Sequence, residues 1–156
     1  MARGAKNLRW ALAAAWVVGI APSAGAADIG QIKIANGPVT IERNGQSVPA
    51  SVGMRLQPSD VVRTGADGSV GITMSDNSLL SAGPNSILSL DRYEFDATTY
   101  QGRFDASLRD GSLAVVSGRI AKQSPEAMKI RTPFATLGVR GTEFVVSTHA
   151  PVVRRP

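Results

Sequence analysis

Ser69-Val70-Gly71-Ile72-Thr73-Met74-Ser75 decides the fold of this chain. In an extended strand, successive side chains alternate between faces, so Val70, Ile72 and Met74 share one side and Ser69, Gly71, Thr73 and Ser75 the other. On a helix Val70 and Met74 would share a face and Ile72 would point away from them. The two-residue period returns in Ile32/Ile34, Val39/Ile41, Leu88/Leu90, Phe104/Ala106/Leu108, Met128/Ile130 and Phe144/Val146. Turn-forming runs separate these stretches: Asn36-Gly37-Pro38, Asn44-Gly45, Ala66-Asp67-Gly68, Asp76-Asn77, Gly83-Pro84-Asn85 and Asp110-Gly111. Asn44-Gly45 is the strongest hairpin signal, because both central positions of a type I′ turn need positive φ. The pattern predicts an all-β fold: one compact domain of about ten short, mainly antiparallel strands, arranged as a sandwich, roll or barrel. Helix signals are weak; Asp96–Gly102 and Ser124–Ala127 have room for one turn each or an irregular loop.

The first residues read differently. Arg3, Lys6 and Arg9 precede an uncharged, mostly apolar run from Trp10 to Ile20, and Pro22-Ser23 then leads to Ala24-Gly25-Ala26-Ala27. That order is a helical secretory signal peptide over residues 1–27, cut near Ala26/Ala27. Its apolar run, at about 1.5 Å per helical residue, covers only about half of a hydrocarbon core. The expected organisation is a leader at 1–27, a β domain at 28–150 and a short basic tail at 151–156. The expected location is periplasmic or secreted, with no membrane insertion after cleavage.

Removing the leader changes the charge argument. The whole chain of 156 residues carries 17 basic and 12 acidic residues, a net of +5. Three of the basic residues and none of the acids lie in the leader, which leaves 14 against 12, or +2, on 129 residues. No stripe of Lys and Arg remains to grip phosphates, and both tryptophans, Trp10 and Trp16, depart with the leader. A nucleic-acid partner is therefore not expected.

Catalytic chemistry finds little to work with. The chain has no cysteine and one histidine, His149, beyond the last clear strand. This excludes disulfides and thiolate nucleophiles, and leaves no Ser-His-Asp set or transition-metal cluster to assemble. Asp60, Asp67 and Asp76 adjoin turn residues and are expected to cap turns. Ser75-Asp76-Asn77 matches one element of penicillin-binding enzymes, but the Ser-x-x-Lys and Lys-Thr-Gly partners are missing. No enzyme activity, cofactor or metal is expected. Arg63, Arg131 and Arg140 sit beside small or turn residues at strand ends. They have two uses: internal ion pairs with Asp60 or Glu143, or a rim that holds an anionic ligand or a partner's acidic segment.

An ordered set of short motifs resembles FecR domains. It opens with Gly37-Pro38-Val39-Thr40-Ile41, Gly53-Met54-Arg55-Leu56 and Asp60-Val61-Val62-Arg63-Thr64-Gly65. Gly68-Ser69-Val70-Gly71-Ile72, Asp76-Asn77-Ser78-Leu79-Leu80 and Gly83-Pro84-Asn85-Ser86 continue it. Ile130-Arg131-Thr132-Pro133 and Gly138-Val139-Arg140-Gly141-Thr142-Glu143-Phe144 close it, so the likeness covers about Gly37 to Ser147. The resemblance implies a periplasmic β domain without catalytic residues. The family's type member relays a receptor signal to a cytoplasmic sigma factor, but with only nine residues ahead of the apolar run and a leader that reads as cleavable, neither the sigma-binding segment nor the true membrane helix of that architecture is expected here. The expectation is a free-standing binding or signalling accessory of the cell envelope, meeting an envelope protein or an envelope polymer. The alternatives are a structural scaffold of the wall or surface, and an envelope hydrolase.

Overall fold

The computed structural model describes residues 27–139 and 142–148. Residues 1–26 of the expected leader, the tail, His149 and Arg140 lie outside the described residues. Thirteen strands appear where about ten were expected. They are β1 (Gly30–Asn36), β2 (Val39–Arg43), β3 (Gln46–Pro49), β4 (Arg55–Leu56), β5 (Val61–Thr64), β6 (Ser69–Met74) and β7 (Leu79–Ala82). β8 (Ile87–Phe95), β9 (Gly102–Asp110), β10 (Ser112–Val116), β11 (Met128–Arg131), β12 (Thr136–Gly138) and β13 (Glu143–Ser147) follow. One helical turn, α1 (Arg119–Gln123), and a 3-10 turn at Pro125–Ala127 lie between β10 and β11.

The strands form two sheets. Sheet A runs β13-β10-β7-β6-β1-β4, and sheet B runs β12-β11-β9-β8-β5-β2-β3. Every pairing is antiparallel except β9 with β11. The expected faces hold: Val70, Ile72 and Met74 are buried on sheet A, and they share one core cluster with Leu88, Phe104 and Ile130 of sheet B. Each fully buried side chain of this size contributes about 1.5–3 kcal/mol.

The turns do two kinds of work. Asn44 (φ 51°) and Gly45 (φ 77°) close the β2–β3 hairpin as expected. The turns at Gly37, Ala66–Gly68, Gly83–Asn85 and Gly111 instead carry the chain from one sheet to the other. Gly37 is at φ 62°, and a Cβ there would sit 2.3 Å from the carbonyl oxygen of Asp67, so two crossings stack against each other.

One expected face is corrected. Ile32 and Ile34 do not share a side. Ile32 pairs with Ile72 and Ile34 with Gly71, so Lys33 is the extra residue of a β-bulge. Ile32 is buried, whereas Ile34 is 54% exposed on the outer face. Of the two stretches with room for a helical turn or an irregular loop, the first is a hairpin loop over 96–101 ahead of β9, and Ser124–Ala127 holds the 3-10 turn.

Candidate interaction surface

The buried acids are structural. Asp60 is fully buried, and its two oxygens accept from Arg43 Nε at 2.8 Å and Nη2 at 2.7 Å. It also accepts from the Gln57 amide at 2.8 Å. This hydrogen-bonded pair holds the Arg43 guanidinium above its ordinary pKa, and it ties the end of β2 to the turn before β5. Asp76, also fully buried, accepts from the amide and hydroxyl of Ser78, from Tyr93 Oη and from the Ile120 amide. Burial first, and the neighbouring carboxylate second, hold the Tyr93 hydroxyl well above the usual phenol range. The hydroxyl therefore keeps its proton and donates it to Asp76. Both carboxylates do more than cap turns: each binds distant segments together. Asp67 lies exposed in its turn.

Two of the three arginines expected at a rim, Arg63 and Arg131, fall within the described residues. Arg63 on β5 and Arg131 on β11 are both exposed and near the same end of sheet B. The register places them on its outer face, with β8 and β9 between them. Three inter-strand steps of about 4.8 Å, with an offset of two to three residues along the strands, put their backbones roughly 16–17 Å apart. Arg63 pairs with neither Asp60 nor Glu143; its Nε donates to Glu42 Oε2 at 3.0 Å across the β2–β5 pair. The reason is local, since Arg43 already occupies Asp60. The rest of this face is charged too, with Arg92 paired to Glu94 and Arg103 to Asp105.

The outer face of sheet A has the opposite character. Register aligns Ile34, Gly71, Ser81, Ala114 and Val145 in one row across five strands. The next row runs Gln31, Thr73, Leu79, Val116 and Glu143. Small residues thus form a floor between larger apolar walls, making a shallow trough of about 320 Å³. Sequence reasoning passed over it. The available signal was three apolar doublets, Leu79-Leu80, Val115-Val116 and Val145-Val146, each of which must turn one member outward in a strand.

Strand β13 borders this face and pairs only with β10 among the described residues. The Thr142 carbonyl accepts from the Ser117 amide, and the Thr148 amide donates to the Gly111 carbonyl. In an antiparallel ladder alternate residues bond to the same neighbour, so residues 142, 144, 146 and 148 face β10. The N–H and C=O of Val145 therefore point away from the sheet, and its side chain is 70% exposed.

At the edge of sheet B, the β11–β12 hairpin presents Phe134 at 82% exposure. Its turn is braced from within. Thr132 Oγ1 accepts from the amides of Phe134 (3.3 Å) and Ala135 (3.0 Å), and the Thr132 amide donates to the Ala135 carbonyl at 2.7 Å.

Among comparisons with known proteins, the family model described as FecR protein matches residues 60–154, from the start of β5 through β13. No curated protein and no solved structure matches the chain.

Proposed function

The chain belongs to the FecR family, and from that membership we propose that it is an exported, non-enzymatic accessory of envelope signalling that works by protein–protein contact. The family is an envelope-associated regulatory one. Among the described residues no helix is long and apolar enough to cross a membrane. The observation that carries the reading is the β13 edge. A segment of a receptor-like partner adds to it as an extra strand, its backbone meeting the outward groups of Val145 and its side chains covering the exposed valine. The arginines at 63, 131 and 140 belong to this proposal only as a secondary rim for an acidic segment or envelope polymer.

The test uses proline at two neighbouring positions. Val145→Pro removes an amide that points outward, so the β10 ladder survives; Val146→Pro removes one that bonds β10. Affinity capture from a periplasmic fraction should yield one stoichiometric partner with the wild type. Val145→Pro should lose it while keeping a near-native melting temperature, and Val146→Pro should lower that temperature outright. Capture unchanged by Val145→Pro overturns the edge reading. Co-sedimentation with purified wall material, without a captured protein, favours the scaffold alternative.

A further inference from the structure

We propose that this protein self-associates head to tail, the Phe134 hairpin of one copy seating in the sheet A trough of the next. The knob is pre-organised: Pro133 fixes one backbone angle, and the Thr132 hydroxyl braces the turn through the Phe134 and Ala135 amides. A rigid turn holding an aromatic ring in water gives an anchor with little entropy left to lose on binding. The hole is pre-formed as well. Ser81 and Ala114 leave the depth, while Ile34, Leu79 and Val116 supply apolar walls. Ile34 leans over Gly71, where a Cβ would meet its side chain at 3.2 Å.

Charge selects a second copy as the occupant. Lys129 and Arg131 flank the base of the hairpin on β11, and Glu143 stands at the mouth of the trough beside Val116. Lys33, at the far wall, is turned onto Gln31. Of the two ways round, the one that turns β11 toward Glu143 brings cations onto an acid, and the reverse would bring them onto Lys33, so charge sets the orientation. Phe134 does not fill its own molecule's trough, since it is 82% exposed. Knob and hole are different patches, so the contact is heterologous, and each added copy leaves one of each unused. This contact lies on the face of sheet A rather than on the outward backbone of β13, and it stands or falls separately from strand addition.

Sedimentation velocity on the protein purified in its native processed form tests this over a concentration series. Wild type should grow past the dimer as concentration rises. Phe134→Ser removes the knob and Leu79→Arg blocks the hole; each alone should weaken association roughly 30-fold, the scale of losing a central aromatic anchor. An equimolar mixture of the two variants should pair and stop at the dimer, because one intact knob then meets one intact hole. Circular dichroism confirms that each variant is folded, and Ala114→Arg replaces Leu79→Arg if the latter is not. A wild type that stays monomeric overturns the proposal. So does a dimer that survives both substitutions, which would be an isologous contact elsewhere, and so does a mixture that fails to pair.

Discussion

Asp76 gathers donors from its own turn, from β8 and from the start of α1, so one carboxylate joins both sheets to the helix. Replacing Tyr93 with Phe deletes the hydroxyl that donates to Asp76 at 3.2 Å and accepts from its amide at 2.7 Å. The expected cost is about 1–3 kcal/mol by chemical denaturation, because both former partners stay buried. The Tyr93 pKa is raised on folding, so this stabilisation is whole below the usual phenol value near 10 and fades as pH climbs through the higher folded value. Asp96 behaves with the opposite sign. The Thr98 and Thr99 amides bond its carboxylate and lower its pKa, so the loop keeps this support above about pH 4 and loses it as pH falls through the lower folded value. In an acid titration the Thr98 and Thr99 amide resonances should move with a midpoint below about 4; a midpoint at or above it contradicts the assignment.

Strand β1 shows what an element-level pattern can hide. Deleting Lys33 takes out only the bulged residue and leaves Ile32 opposite Ile72 and Ile34 opposite Gly71, so melting should shift little. Deleting Thr73 from unbulged β6 slips one side of the pattern and turns Met74 or Ile72 out of the core, at a cost of about 3 kcal/mol or more. Gly45→Ala offers a cleaner backbone test: no atom lies within 4 Å of the new Cβ, so its loss of about 1 kcal/mol measures positive φ alone. These contrasts explain what could be read from the chain. Period two located the core faces of β2, β6, β8, β9 and β11, and Asn44-Gly45 located its hairpin, because both signals are local. Ile34 escaped because a bulge is invisible until the partner strand is known. α1 escaped because its first amides are held by Asp76, 43 and 44 residues earlier in the chain, rather than by a neighbouring cap. The trough needed five strands in register before its small residues met.

At the scale of the whole molecule, the two outer faces divide their labour. Sheet B shows paired charges, and sheet A shows an apolar trough beside β13, whose outer side meets no strand among the described residues. The proposed export gives these faces a setting and has its own test. Intact mass of the protein from a periplasmic fraction should correspond to a start at Ala27 or Asp28; Met1 retained in a membrane fraction would overturn it. The sheet order also bears on how the chain reaches its folded state. The β8–β9 hairpin closes between Phe95 and Gly102, a local step of microseconds, whereas β1 must find β6 with Gly30 opposite Met74. Distant pairings of that kind delay folding to milliseconds or seconds. On the proposed export route, a chain threaded through a translocation pore while extended gains from such slowness, since its first strand has only the two-residue β4 to pair with until β6 has emerged.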